Sequence, residues 1–303
     1  MRDKRGQEPR ICPNKDCKNH HTPSFDFCKD GFHQRTMGKK EKVQKYRCKA
    51  CGKRFHGTYG RLTYRQKKPE INSQFLRTYT AGVSFRRTAF LLRVNRKTLA
   101  QRIISHVAFF RKKHEQSLQD TDLFFGTRYS FDEMESKVGS KKNPVSISIA
   151  VNEDSGRIVD IQVSKMPLKG RIIEKIKKQG LPIPIREDFR PEGRVNALGA
   201  IAIAANGDPI TIFTDGGTSY PDLISQVVRN AKHSVVPHYR NLLPDRNRHD
   251  NMFWHNHVCA RIRADVSRLA RRSWCFSRSI DALQAHLDMF MEYFNNRVYT
   301  ARP

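Results

Sequence analysis

No run of 18 apolar residues occurs anywhere in the 303-residue chain, so no transmembrane helix is expected. The first eight residues, MRDKRGQE, lack the apolar stretch of a secretory signal, and a cytoplasmic protein is expected. The seven cysteines are an odd number, which argues against a disulfide framework. Acid is scarce as well: 29 Asp plus Glu stand against 57 Lys plus Arg, a formal net charge of +28. A disordered basic tail is nonetheless excluded, because 38% of the residues are hydrophobic and can bury a core. At about 100–200 residues per domain, the length allows two or three domains.

The charge is unevenly placed. Residues 1–115 hold 30 Lys/Arg and 8 Asp/Glu, a net of +22, whereas residues 116–303 hold 27 and 21, a net of +6. The first third is therefore an electrostatic handle for a polyanion, and nucleic acid is the expected partner. The remainder is nearly balanced, as a folded catalytic or dimerising domain would be.

Four cysteines form two short-spaced pairs, Cys12/Cys17 and Cys48/Cys51, with thirty residues between them. A hairpin across that gap would gather four thiolates around one Zn²⁺ at ~2.3 Å. Lys45, Arg47, Lys49, Lys53 and Arg54 favour the thiolate form beside the second pair. Tyr46 and Phe55 can supply the small core of a zinc ribbon. His20, His21, Cys28, His33 and His56 are alternatives for one ligand. Four protein ligands leave no open position, so the zinc would be structural.

Residues 71–110 read as helices. Asn72 is expected to cap the first, Ser84 the second and Asn95 the third. Ala89, Leu91 and Leu92 would face a core, as would Leu99 and Ile103 one turn apart. Two short helices with a tight turn and a basic second helix suit a helix-turn-helix. Arg86, Arg87, Arg96, Lys97, Thr98, Gln101 and Arg102 are the expected double-stranded DNA contacts. The domains expected are a zinc-ribbon-like segment 1–57, a helix-turn-helix 58–115 and a larger domain 124–303, an α+β chain overall.

The larger domain opens with three antiparallel strands, 127–134, 145–152 and 157–164, the last two joined by a turn at Glu153–Gly156. A basic irregular stretch, 165–195, precedes an Ala-rich helix at about 196–205. A buried strand then ends at Asp215. Helices are expected at about 221–231, 251–272 and 279–297. Phe131 and Glu133 point to one face of the first strand and Asp132 to the other. Asp132 and Asp215 can thus meet at the centre of one sheet, where two Mg²⁺ ions would offset their charge and act at phosphorus. Trp254, Trp274, Cys259 and Cys275 read as core residues, and the apolar run 289–294 as helix packing or a dimer surface.

The order of parts, with Phe131-Asp-Glu-Met134, Thr214-Asp-Gly216 and the Arg-rich stretch Arg268–Ser279, resembles bacterial insertion-sequence transposases of the insertion-sequence-one type. The resemblance covers nearly the whole chain. It implies a ribonuclease-H-like catalytic domain with a mixed sheet and a DDE-type site of Asp132, Asp215 and a third ligand near 256. It also implies a basic residue seven positions later, which Arg263 supplies. Much of that family has Glu at the third position; here it is Asn256, and no Glu occurs from 193 to 291. Asn is found there in some relatives and can still offer a neutral oxygen to Mg²⁺. His257 is a possible substitute contact. The implied activity is Mg-dependent cleavage and transfer of DNA strands at the ends of an element, by a homodimer or larger complex. The alternatives are a transposase-derived DNA-binding regulator that has lost its chemistry and a ribonuclease-H-like nuclease.

Overall fold

A computed structural model describes residues 11–20, 26–34, 42–236, 251–269 and 276–298. The chain divides into two compact units, Met1–Phe75 and Leu76–Pro303.

In the first unit, β1 (Phe27–Gln34), β2 (Lys42–Cys48) and β3 (Arg54–His56) form an antiparallel sheet in that order. Tyr46 pairs with Phe55 across β2 and β3, and both are buried. Among the described residues, they form a small core with Cys12, Cys17 and Cys48, against which Phe27 and Tyr59 pack. So little apolar surface is too small to hold a fold unaided.

Helix α1 (Asn72–Tyr79) spans the division between the units. Asn72 is already in helical conformation and its side chain bonds Gln66, so it is not the expected cap. Ser84 and Asn95 do cap α2 (Phe85–Leu91) and α3 (Arg96–Ser117), accepting from the Arg87 and Lys97 amides. Ala89, Leu92 and Leu99 are buried, but Leu91 is exposed. Helices α2 and α3, within the expected domain 58–115, fall in the larger unit. The reason lies in the second half of α3. Arg111 Nε lies 2.7 Å from Asp288, and His114 Nε2 donates to the Val159 carbonyl at 2.7 Å.

The larger unit is built on β4 (Arg128–Lys137), β5 (Pro144–Asn152), β6 (Ile158–Lys165), β7 (Ile210–Thr214) and β8 (Ala231–Val235). The sheet order is β6-β5-β4-β7-β8. The first three strands form an antiparallel meander, and β7 and β8 run parallel to β4. One face packs on α5 (Arg190–Ala205) and α6 (Tyr220–Val227), the other on α7 (Phe253–Asp265) and α8 (Ile280–Tyr293). With both faces covered, β5 is buried almost end to end. The apolar run at 289–294 belongs to that packing: Met289, Phe290, Met291 and Phe294 are buried.

Three expectations need correction. The stretch 165–195 contains a helix, α4 (Arg171–Lys178), and α5 begins at Arg190. The expected helix 221–231 ends at Val227 and gives way to strand β8. Helix α7 stops at Asp265 rather than 272. Trp274, Cys275 and much of the Arg-rich stretch lie outside the described residues. Among the described residues, no helix is long and apolar enough to cross a membrane.

Candidate functional site

The two cysteine pairs meet. Cys12 and Cys17 come from the segment before β1, Cys48 ends β2, and Cys51 lies in the turn between β2 and β3. The turn closes through Gly52, whose φ of 72° is one few other residues adopt and whose amide bonds the Cys48 carbonyl at 2.9 Å. All four sulfurs lie within 4.8 Å of one another. Cys12 Sγ is 3.6 Å from Cys51 Sγ, and Cys17 Sγ is 3.9 Å from Cys48 Sγ. A tetrahedron with ~2.3 Å metal–sulfur bonds has edges of about 3.8 Å, so the group can hold a metal such as zinc. Burial is the first influence on Cys12, whose thiol is pushed up to about 12. Burial also acts to raise Cys48. Hydrogen bonds from the Cys51 amide, the Asn19 side chain and the Ala50 amide outweigh it and bring Cys48 down to about 6. A central cation would favour all four thiolates. The alternative ligands go elsewhere: His20 contacts the Cys12 carbonyl, Cys28 the Arg47 carbonyl, and His33 stacks edgewise on His56. His21 lies outside the described residues.

In the larger unit, Ser130 pairs with Phe213 in the parallel register of β4 and β7. The pairing ends there; Asp132 lies two residues past Ser130 and Asp215 two residues past Phe213, and the charge of Asp215 acts on the Asp132 carboxyl. Alternation puts both on one face, since Arg128, two residues before Ser130, lies over the Phe213 ring. Asp215 follows β7 directly, at a turn where Gly216 has φ 90°. A Cβ on Gly216 would lie 2.9 Å from Val235 Cγ1, so glycine is favoured at this position. Burial, then the charges of Asp215 and Glu133, lift the Asp132 carboxyl to about 6 against the pull of the Glu133 amide. The charge of Asp215 thus makes Asp132 harder to ionise, which is the electrostatic setting that a divalent cation relieves.

Glu133 does not compete for that role. Its carboxylate accepts from Arg194 Nε at 2.9 Å and Ser146 Oγ at 2.8 Å on the opposite face of the sheet. Helix α7 covers the Asp132 face. Asn256, Cys259 and Arg263 lie on one stripe of α7, at i, i+3 and i+7. Burial pushes the Cys259 thiol up to about 11; Arg263 opposes this and Asp132 adds to it, which ties the stripe electrostatically to both. Asn256 and Arg263 are exposed. His257, about 100° around the helix, sits in an aromatic cluster with Phe253, Trp254 and Phe294 and serves packing rather than ligation.

The start of α7 depends on a residue that the sequence reading passed over. Glu153, in the turn after β5, accepts from the Trp254 and His255 amides at 2.9 and 3.0 Å and from Ser130 Oγ at 2.6 Å. A buried carboxylate thus caps the helix across a hundred residues, where the helix dipole favours it. Only a long-range contact makes it a cap, so no local signal reveals it. Replacing Glu153 with Ala is expected to cost about 2–4 kcal/mol in urea unfolding, the range for losing a buried, charge-assisted bond set. A loss below about 0.5 kcal/mol, the usual surface effect, would refute the capping role.

On α2 and α3, Arg86, Arg87, Arg96, Lys97, Thr98 and Gln101 are exposed. Arg102 is the exception. It lies on the inward stripe of α3 with Leu99, His106 and Phe110 and is only 4% exposed, which withdraws it from the expected DNA contacts.

A scan against protein-family models finds no match to this chain, and a search of curated proteins finds none either.

Proposed function

We propose that the chain is a DNA transposase that binds the ends of an insertion element and catalyses cleavage and transfer of DNA strands. The observation that carries this reading is the proximity of Asp132, on β4, to Asp215, which directly follows the parallel strand β7 and whose charge acts on the Asp132 carboxyl. The mixed sheet, an antiparallel meander with two strands parallel to its first, supports a ribonuclease-H-like domain. The four-cysteine group, the capped helix pair and the +22 charge of residues 1–115 support a DNA-binding front end.

In this reading Asp132 and Asp215 hold two Mg²⁺ ions, with the Asn256 amide oxygen completing the set. Hard carboxylate and amide oxygens suit that ion. Bound, the ions would activate an attacking oxygen and stabilise a leaving one at phosphorus. The residues themselves do the positioning. Asp132 must be ionised, Glu133 keeps Arg194 occupied on the far face, and Arg263 offers its guanidinium to a phosphate. Both ends of an element must be held at once, so the active complex is a homodimer or larger.

The second reading, a DNA-binding regulator that has lost catalysis, is favoured by Asn256 standing where a third carboxylate would be. Strand-transfer assays separate the two. Purified protein, Mg²⁺ or Mn²⁺ and DNA from the element's ends should yield joined products, and Asp215→Ala should abolish them. End binding with no products from either protein would establish the regulator. Cutting of free DNA without joined ends would establish a nuclease.

A further inference from the structure

On the Asp132 face of the sheet, a cavity of about 780 Å³ opens at Met134, two residues farther along β4. Two residues of strand are ~7 Å. Arg263, the last residue of the α7 stripe, forms part of the cavity wall. The cavity therefore begins where the carboxylate pair ends.

Its lining divides into two chemistries. Lys137, Lys141, Lys169, Arg263 and Arg268 bring five cations against one acid, Glu135. Lys169 is paired with that acid, and Arg268 bonds Ser277 and the Tyr79 hydroxyl. Lys137, Lys141 and Arg263 are exposed and make no ion pair among the described residues. The apolar part includes Met134, Met166, Ile172, Leu269 and Phe276, with both methionines buried.

Duplex DNA fits the cations but not the apolar part, because its base faces stay stacked on one another. An inorganic anion fits only the cations. A volume within ~300–1,000 Å³ takes one small organic group, and a base freed from its stack brings a flat apolar face and flanking phosphates together. We propose that this cavity takes an unpaired nucleotide of the DNA strand that passes Asp132 and Asp215. The base lies against Met134, Leu269 and Phe276, and its phosphates meet Lys137, Lys141 and Arg263. This inference rests on the DNA-strand reading above.

The test uses the full, zinc-loaded chain with Mg²⁺ withheld, so that binding is read without cleavage. The probes are a fluorescent blunt duplex and the same duplex carrying a single-stranded tail of about three nucleotides. Wild type should bind the tailed probe about tenfold more tightly, the scale of one stacked base. Lys141→Glu and, separately, Phe276→Ala should erase that preference while the blunt probe loses far less. Lys141 is exposed, so its variant tests the idea even if Phe276→Ala perturbs folding. An equal loss for both probes would make the wall a general phosphate patch and overturn the proposal. A preference that survives both substitutions, or none in wild type, would overturn it too. Failure of the catalytic reading looks different: wild type would keep the tail preference yet cut nothing when Mg²⁺ is restored.

Discussion

Asp132→Asn is expected to abolish strand cleavage and, at the same time, to stabilise the protein at neutral pH when Mg²⁺ is absent. The two effects share one cause. In the folded chain the Asp132 carboxyl titrates at about 6, because burial and then the charge of Asp215 penalise its ionised form. The unfolded chain has no such penalty, so its carboxyl ionises near the ordinary value of ~3.9. The folded state holds this proton more tightly. Stability from that source is complete below about pH 4 and is lost as pH rises through about 6. An amide carries no charge to penalise. The variant should therefore match wild type near pH 4 and exceed it above pH 6, by about 1–2 kcal/mol once solvent screening is allowed for. Cleavage should fall by about three orders of magnitude, the several kcal/mol that a positioned metal contributes. Added Mg²⁺ should raise the melting temperature of wild type but not of the variant. Equal stability at pH 7.5, or residual cleavage near the wild-type rate, would remove Asp132 from the site.

The second large effect concerns the cysteines. Removing zinc with a chelator is expected to unfold the segment around Cys12, Cys17, Cys48 and Cys51 and to leave the five-stranded sheet intact. The core beside the sulfurs consists of little more than Tyr46 and Phe55. Metal binding in comparable peptides contributes about 10–16 kcal/mol, far beyond what such a core supplies. Hydrogen exchange should show protection lost from β1 to β3 and kept from β4 to β8. Cys12→Ser should lower bound zinc from one ion per chain to near none. A chain that purifies without zinc and exchanges identically with and without chelator would contradict the assignment.

Much of this was legible locally. Cysteine spacing located the four-cysteine group, Ser84 and Asn95 marked the two helix starts, and alternation marked the meander. Position on their strands made Asp132 and Asp215 only weak candidates, and the family resemblance supplied the support for pairing them. What failed to show was set by distant contacts. Arg102 is a cation carried on an inward stripe, so its charge pointed to solvent while its spacing from Leu99 put it inside. Strand β8, Ala-Lys-His-Ser-Val, has no apolar alternation because it is an edge strand and only partly covered. Glu153 sits in a hairpin turn, where an acid is ordinary; its role exists only because the Trp254 amide arrives there.

Helix α3 runs unbroken for 22 residues from the exposed Arg96 to Ser117, and Arg111 and His114 in its second half are pinned beside the sheet. Such a rod is roughly 33 Å long, close to one turn of B-form duplex. In the transposase reading, DNA gripped at its outer tip would be held at a fixed reach from Asp132 and Asp215. Like a caliper with one jaw bolted down, it would make the offset between the bound sequence and the severed bond a property of the helix's length. Adding or deleting a turn within it should shift that offset rather than blur it.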